Sequence, residues 1–439
     1  MAPPWVLLHR IVHFVDGGAA VNGGTSKGGG GGVTGDSDPY ASPLGALEAM
    51  EPNPAIVDPP QVTYLTMLTQ TPAEQMPRVR FGVISSTDKG LVVLYTGSYR
   101  PGSGCLAGDG GYLVYDASNN SLSAIPPLPD SPASTSPLPG LPTTNTKCLG
   151  RSAAIMRLGH GGEGAYVLAE LVTSYWDSGL PDADLCLWWW WSSSTTNPAG
   201  QWIRKAVRLP LPSALFSIDM AFSCAGSRVC WVDLFTGVLI CDLFTPQGPE
   251  FSFIPLPEGH CQYTPNNRRL CPNPEAFRSM GCVCGAIKFV AVMDYSQGMP
   301  SNERALKTWN LSPDFKEWKE GSALPVGDLW ASESFNEMGL PRVRPRCPVL
   351  STNEDEVIYI ALNDIEYVDN ANVFEEFTGR RPVLKAHYML RLDLLQNKVL
   401  SSDKSSGNNL ALLAPMLLAS DLSAYRHRSK DHKRGEEAC

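Results

Sequence analysis

The chain has 439 residues and a formal net charge of −9, because 44 Asp and Glu residues outnumber 35 Lys and Arg residues. This acidic balance favours solubility and disfavours a general nucleic-acid-binding or anionic-membrane surface. Charged residues make up 18% of the chain, and its 40 glycines and 37 prolines indicate many turns rather than long helices.

No segment has the length of a transmembrane helix. The longest apolar runs are LCLWWWW (185–191) and LALLAPMLLA (410–419), well short of the roughly 20 residues that span a bilayer. The opening run WVLLHRIVHFV is interrupted by polar residues and lacks a small-residue cleavage site, so no secretory signal is predicted. We therefore expect a soluble intracellular protein, cytoplasmic or nuclear, whose 12 cysteines are reduced and mostly buried.

Three segments lie outside the predicted folded domain. Residues 1–16 contain an apolar run that fits a strand or a short helix. Residues 17–60 are rich in glycine, proline and serine, and we predict a disordered linker because they bury too little apolar surface to offset their ordering entropy. Residues 426–439 form a basic polar tail, interpreted as a solvated terminus with a nuclear-import patch as the alternative.

Residues 61–425 are predicted to form one all-β domain built from a repeated unit. An isolated strand at 62–69 precedes five visible units, at 79–129, 151–212, 220–257, 282–325 and 348–403. Two features recur in them. One is an apolar strand that ends at Asp or Asn before a turn, and the other is a Leu-Pro exit, because proline cannot continue a β-ladder.

Repeats of roughly 40–60 residues with three- to four-stranded blades are typical of a β-propeller. We therefore predict a β-propeller-like fold in which the strand at 62–69 and C-terminal strand material complete a sixth blade. Helices are expected only at 42–50, 332–339, 371–378 and 415–425.

The clearest unit is VCWVDLFTGVLICDLFTPQGPEFSFIPLP, which runs from Val229 to Pro257 and contains three strands. We interpret its conspicuous residues as a packing tryptophan, turn-capping aspartates, a turn glycine and a proline stop. These residues are Trp231, Asp233, Gly237, Asp242, Pro255, Leu256 and Pro257.

This unit resembles a plant family named only as domain of unknown function 1618 (DUF1618), which is numerous in grasses. The resemblance rests on Trp231-Val232-Asp233, the Gly237 turn, LICD at 239–242 and FIPLP at 253–257. It covers about residues 229–365 and implies no activity, cofactor or catalytic residue. The units are also similar to the propeller domains that follow F-boxes in plant ubiquitin-ligase receptors, although no F-box-like segment precedes residue 62.

A glycine-rich motif invites a dinucleotide interpretation. Gly159–Gly164 matches G-x-G-x-x-G, with Asp182 and Asp184 about 20 residues further on. A second strand follows the motif, however, where a dinucleotide site requires a helix. A hairpin turn is therefore favoured over a nucleotide site.

Five residues suggest a zinc clip: His260, Cys261, Cys271, Cys282 and Cys284. Their spacings differ from the paired C-x₂₋₄-C of structural zinc sites. Core or inter-strand thiols are therefore favoured over a metal site, and we predict neither metal nor cofactor.

Four consecutive tryptophans, Trp188, Trp189, Trp190 and Trp191, point two to each face of a strand. We expect two of them to pack between blades and two to lie at the surface. A stacking platform for a protein partner or a sugar is the alternative.

Catalysis has little support in the sequence. There is no G-x-S-x-G, Walker A, H-E-x-x-H or EF-hand motif. Asp233, Asp242, Glu303 and Asp364 could form an acid pair in a channel, but the strand-end positions of Asp233 and Asp242 favour turn stabilisation.

We therefore expect a non-enzymatic protein-interaction module, a β-propeller scaffold that presents loops to an unknown protein partner. The candidate contact loops are 100–112, 130–150, 192–200 and 258–278. The alternatives are a carbohydrate-active propeller hydrolase or lyase that uses channel carboxylates, and a ubiquitin-ligase substrate adaptor without its own F-box. No nucleic-acid or membrane partner is expected.

Overall fold

The computed structural model describes residues 3–16, 47–69, 81–97, 110–126, 152–159, 164–174, 182–190, 200–211, 216–258, 273–293, 304–369, 380–405 and 415–426. These residues form an all-β structure. Across these ranges, no helix has both the length and the apolar character needed to cross a membrane.

The strands of the described residues, in chain order, are β1 (Val6–His9), β2 (Ile11–Asp16), β3 (Glu51–Ala55), β4 (Val62–Thr69), β5 (Phe81–Asp88), β6 (Leu91–Gly97), β7 (Gly110–Asp116), β8 (Ser121–Ile125), β9 (Ala153–Arg157), β10 (Tyr166–Ser174), β11 (Asp182–Trp190), β12 (Trp202–Arg208), β13 (Met220–Cys224), β14 (Arg228–Asp233), β15 (Gly237–Asp242), β16 (Glu250–Pro255), β17 (Arg278–Val283), β18 (Ala286–Met293), β19 (Ala305–Leu311), β20 (Trp318–Pro325), β21 (Arg346–Leu350), β22 (Val357–Asp369), β23 (Arg380–Asp393), β24 (Lys398–Ser405) and β25 (Leu417–Ser420). Two short helices, α1 (Val326–Ala331) and α2 (Glu333–Glu337), lie between β20 and β21.

The chain divides into two compact units. The N-terminal unit comprises residues 10–56, 64–214 and 422–439, and the C-terminal unit comprises residues 1–9, 57–63 and 215–421. The N-terminal unit contains the antiparallel series β5-β6-β7-β8 and the four-stranded sheet β12-β11-β10-β9. In the same unit β2 pairs with β5, and the Thr66–Thr69 part of β4 runs parallel to β2.

The C-terminal unit contains three four-stranded antiparallel sheets, β13–β16, β17–β20 and β21–β24. Strand β1 pairs antiparallel with β25, with Val6 opposite Ser420, and parallel with the first two residues of β4. The five predicted units thus coincide with five sets of four consecutive antiparallel strands. The all-β repeat is confirmed at this level.

Three boundaries differ from the sequence-based prediction. Strand β3 lies inside the predicted linker, and its alternating burial places Pro52 and Pro54 inward against β4. Prolines suit this strand because it pairs on one side only. Strand β17 begins at Arg278, at the end of the predicted loop 258–278 and before the predicted start of the unit at residue 282. The predicted helix at 415–425 is wrong over Leu417–Ser420, which forms β25 because β1 supplies its hydrogen-bond partner.

Inner and outer strands of a sheet differ in composition for a physical reason. Strands β14 and β15 are buried along almost their whole length, which explains their continuous apolar sequences. Strand β12 pairs only with β11 and is largely exposed, and it carries Arg204, Lys205 and Arg208. Charged side chains on such an edge oppose pairing with another chain.

Candidate functional site

Trp231 lies at the centre of the unit that the sequence singled out, and it is completely buried. It stands opposite Ala221 on β13 and Leu239 on β15. Its ring stacks on Phe251 of β16, with ring centroids 6.2 Å apart and an interplanar angle of 25°. Trp231 therefore contributes packing and presents no surface to a ligand.

The carboxylate of Asp233 is buried and accepts backbone N–H groups from the β14–β15 turn and from the segment before β13. It accepts the N–H of Phe235 at 2.9 Å and the N–H of Ser217 at 2.8 Å. Asp219, also buried, accepts the N–H of Leu234 at 2.9 Å. Buried N–H groups need such partners, so these two carboxylates hold the turn.

Aspartates at the ends of other strands bind turn backbone in the same way. The carboxylates of Asp116, Asp242 and Asp393 accept the N–H groups of Ser118 (2.9 Å), Phe244 (3.1 Å) and Gln396 (2.9 Å). Asn310 departs from the pattern because it lies inside β19. There the Oγ of Ser312 holds the turn by accepting the N–H of Lys316 and of Glu317.

The end of this unit is held by backbone contacts. The N–H of Leu256 donates to the carbonyl of Thr236 at 3.0 Å, and Leu256 and Pro257 are buried. Pro255 is exposed, and its carbonyl accepts the indole N–H of Trp318 at 2.7 Å.

Gly237 faces the neighbouring strand β16 at very short range. A Cβ at this position would lie 2.3 Å from the carbonyl oxygen of Ile254 and 2.7 Å from the ring of Phe253. The first of these atoms is backbone, so it cannot move aside cheaply. The close approach of the two strands therefore explains the glycine.

We expect Gly237→Ala to lower the free energy of unfolding by about 1–3 kcal/mol, as overpacking does elsewhere. The matched control is Gly327→Ala in α1, where nothing lies within 4 Å of an added Cβ. Alanine there should be neutral or stabilising by about 0.5–1 kcal/mol. Urea unfolding of both variants measures the difference, and equal effects would contradict the close-approach explanation.

A cavity of about 230 Å³ in the C-terminal unit, hereafter the arginine pocket, is lined by three arginines together with apolar residues. Its lining residues are Val292, Arg304, Val326, Trp330, Arg342, Arg344 and Pro345. They come from the end of β18, the residue before β19, helix α1 and the segment after α2. The N–H of Val326 donates to the carbonyl of Arg304 at 2.9 Å, which fixes α1 against this wall.

Two of the arginines are positioned by side-chain contacts. The guanidinium of Arg344 lies over the ring of Phe277, 4.4 Å from its centroid, and Arg346 approaches the same ring at 5.5 Å. Arg342 donates from Nη2 to Oδ1 of Asn336 at 3.1 Å. The stacking on Phe277 fixes the plane of the Arg344 guanidinium.

Such a pocket is suited to an anion. Arginine binds carboxylates and phosphates through two parallel N–H bonds, and these bonds strengthen where apolar walls exclude water. Sequence reasoning missed these residues. The signal was PRVRPR at 341–346, where two of three alternating arginines enter the pocket.

Residues 231–359 match the family described as "Protein of unknown function (DUF1618)". The match confirms the predicted resemblance to the DUF1618 family over this segment. The match lies within the predicted range of about 229–365, and it contains the whole arginine pocket. No curated protein matches the chain.

Among solved structures, the chain is similar to the crystal structure of an ACO/RPE65 chimera in a monoclinic crystal form. The two are 10% identical, with a TM-score of 0.29, and the similarity covers 78% of this chain and 72% of that one. A likeness this weak supports no conclusion about fold or function.

Outside the DUF1618 segment, the tryptophan run belongs mainly to the core of the N-terminal unit. Trp188 is buried and packs on Trp202 at 5.5 Å between centroids, and Trp190 stacks on Tyr166 at 6.2 Å. Trp189 is half-buried on the other face of β11. The partner-surface interpretation is therefore wrong for Trp188, whose ring is enclosed, and Trp191 lies outside the described residues.

Glu170 of β10 is a buried carboxyl in the same core. The hydroxyl of Tyr112 donates to its Oε2 at 2.6 Å, and the hydroxyl of Ser152 donates to Oε1. Burial raises the pKa of the Glu170 carboxyl to about 7, although both hydroxyl groups act in the opposite direction. Glu170 shares a face of β10 with Tyr166 and Leu168, which are core residues.

The glycine motif forms a hairpin rather than a dinucleotide site. Strands β9 and β10 on either side of it pair antiparallel, and the N–H of Leu158 donates to the carbonyl of Ala165 at 2.9 Å. Gly159 and Gly164 both have positive φ angles, which a tight turn requires. The hairpin prediction is confirmed, and residues 160–163 lie outside the described part.

Of the five residues considered as a zinc clip, the structure describes only Cys282 and Cys284. The described residues contain no group of three or more His, Cys, Asp or Glu side chains that could hold a metal ion. His260, Cys261 and Cys271 lie outside them. Cys284 is exposed, whereas Cys282 is half-buried beside Cys224 of β13.

Three of the four carboxylates suggested for an acid pair lie in the described residues. Asp233 and Asp242 bind turn backbone, as described above, and Glu303 lies outside the described residues. Asp364 occupies β22, opposite Ala386 of β23.

Proposed function

We propose that this protein is a non-enzymatic protein-interaction module whose arginine pocket accepts an acidic or phosphorylated side chain of a partner protein. The observation that carries the proposal is the convergence of Arg304, Arg342 and Arg344 on one small cavity. Recognition of phosphorylated or acidic motifs by arginine clusters is a recurring mode of peptide binding.

The size of the cavity favours a side chain over a metabolite. Its volume of about 230 Å³ is below the roughly 300–1,000 Å³ of typical small-molecule sites. Trp330, Val292 and Val326 form an apolar wall that fits the stem of a side chain, while the guanidinium groups meet its anionic end. A partner segment would then be anchored by one residue.

The net negative charge of the chain makes this recognition depend on contacts at short range. A net charge of −9 repels acidic partners at long range, and salt screens that repulsion beyond about 8 Å at physiological ionic strength. Binding would therefore depend on short-range bidentate contacts in the pocket. Geometry, more than net charge, would select the partner.

The five four-stranded sheets support the finer proposal that they are blades of a β-propeller. Four-stranded antiparallel blades of consecutive strands are the unit of that fold, and its loops present binding residues. The candidate contact loops named from the sequence lie largely outside the described residues, including all of 130–150, so the arginine pocket is the better-supported contact.

We expect the double variant Arg342→Gln/Arg344→Gln to bind a degenerate phosphoserine peptide pool at least about tenfold more weakly, because charge-assisted hydrogen bonds are lost. Fluorescence polarisation measures the affinity, with the unphosphorylated pool as the reference. Arg342→Lys/Arg344→Lys should recover binding only partly, since lysine keeps the charge but loses the bidentate geometry.

The charge-matched control is Arg204→Gln/Arg208→Gln on the exposed edge strand β12. It removes two positive charges far from the pocket in sequence and should bind like wild type. Equal loss in both double variants, or equal binding of the two peptide pools by wild type, would contradict the proposal. Urea unfolding of every variant establishes that binding is compared between folded proteins.

A further inference from the structure

Two cysteines from neighbouring sheets of the C-terminal unit lie side by side. The Sγ atoms of Cys224, at the end of β13, and Cys282, near the end of β17, are 3.1 Å apart. The residues are 58 positions apart in sequence, so only the packing of the two sheets brings them together. A disulfide has a sulfur–sulfur length of about 2.05 Å, so about 1 Å of movement separates the pair from a bond.

The two thiols differ in exposure. Cys224 is 3% exposed, whereas Cys282 is half-buried and within reach of solvent. The hydrogen bond to Cys282, and then burial, raise the pKa of the Cys224 thiol, so Cys224 keeps its proton. Either sulfur of this contact could be the donor, and the greater exposure of Cys282 makes it the thiol that an oxidant reaches first.

We propose that Cys224 and Cys282 are an oxidation site at which hydrogen peroxide forms a disulfide between the sheets β13–β16 and β17–β20. The Cys282 thiolate attacks one peroxide oxygen, the O–O bond breaks, and the protonated leaving hydroxide departs as water. Cys224 then attacks the sulfur of the resulting sulfenic acid and displaces a second water, with its proton. Overall, two thiols and one peroxide give one disulfide and two waters.

The arrangement around the pair directs the reaction to these two sulfurs. Cys230 and Cys241 are fully buried within their sheet, so peroxide reaches them less readily than it reaches the half-buried Cys282. Cys284 is exposed, and its N–H donates to the carbonyl of Thr352 at 3.1 Å. Cys282 therefore has Cys224 as the thiol already in contact with it.

The test treats the full chain with hydrogen peroxide, blocks remaining thiols, and maps peptides by mass spectrometry without reduction. The expected product is a peptide pair that joins Cys224 to Cys282 and lacks two hydrogens. The unfolding midpoint of the oxidised protein should rise by about 5–10 °C, because a loop of this length is closed in the unfolded chain. Dithiothreitol should reverse both changes.

Matched variants make the outcome decisive. Cys224→Ser and Cys282→Ser should each abolish the linked peptide and the rise in midpoint, whereas Cys284→Ser should retain both. The proposal is overturned if Cys282 reaches sulfinic acid without a link, if it pairs mainly with another cysteine, or if Cys284→Ser removes the product. Each serine variant is first compared with wild type by near-ultraviolet circular dichroism, so that a misfolded variant is recognised.

Discussion

Trp231→Ala is expected to lower the free energy of unfolding by about 3–5 kcal/mol, the range for truncating a fully buried large aromatic side chain. The indole is completely inaccessible, stacks on Phe251, and stands on a strand paired on both sides. Neighbouring backbone is therefore held in place and cannot collapse into the space. Chemical unfolding in urea, followed by tryptophan-independent far-ultraviolet circular dichroism, measures the loss.

Phe244→Ala is the control for this experiment. Phe244 is an aromatic residue of the same sheet region but is 45% exposed, so its removal should change stability much less, by at most about 1 kcal/mol. A Trp231→Ala protein that unfolds like wild type but loses a binding partner would show that the residue serves recognition instead of packing.

Glu170→Gln is expected to remove a pH dependence of stability from the protein. The Glu170 carboxyl has its pKa raised to about 7 by burial, above the ordinary value of 4.5 that applies to the unfolded chain. Between these values the native state binds more protons than the unfolded state, so stability falls as pH rises. The contribution of the Glu170 carboxyl to the free energy of unfolding is fully present below about pH 4.5, and up to about 3 kcal/mol of it is lost by pH 8.

Glutamine keeps the shape of the side chain but has no charge to bury. Its amide oxygen can accept from one of the hydroxyl groups of Tyr112 and Ser152, and its amide N–H can donate to the oxygen of the other. The variant should therefore gain stability relative to wild type as pH rises from 5 to 8. Cys186 lies opposite Glu170, and burial raises the pKa of its thiol to about 12, so it does not titrate in this window. The measurement is the difference in unfolding free energy between variant and wild type at each pH.

The difference between variant and wild type is measured because another buried group, His387, changes stability with pH in the opposite direction. Burial lowers the pKa of His387 to about 4, so the unfolded state binds the extra proton, and stability falls as pH drops from 6.5 towards 4. That effect is common to both proteins and cancels. Glu337→Gln, at an exposed helical position, is the matched control and should give a flat difference. A flat difference for Glu170→Gln as well would contradict the burial argument.

Much of the architecture could be predicted from sequence because its signals are local. Asp233 and Asp242 end strands and bind the next turn, and alternation or continuous apolar runs define strands within a few residues. The DUF1618 segment was recognisable for the same reason, since Trp231, Gly237 and the exit at Pro257 lie within one short stretch.

The remaining features depend on contacts between distant residues. Gly237 is required by the backbone of Ile254, which no local pattern reveals. The arginine pocket brings together Arg304 and Arg342, which helix α1 separates in the sequence. Cys224 contacts Cys282, which belongs to the neighbouring sheet. Leu417–Ser420 reads as helix in isolation because its strand state depends on β1, near the other end of the sequence.

The pairing of β1 with β25 has a consequence for synthesis of the chain. Roughly 400 residues separate the two strands in sequence, and a ribosome adds about 5–20 residues per second. For about 20–80 s the edge of β1 that will receive β25 has emerged without its partner, exposing Leu7 and Leu8 to other nascent chains. Pairing of β1 with β25 thus waits until late in synthesis, and chaperone engagement should be greatest before β25 leaves the ribosome.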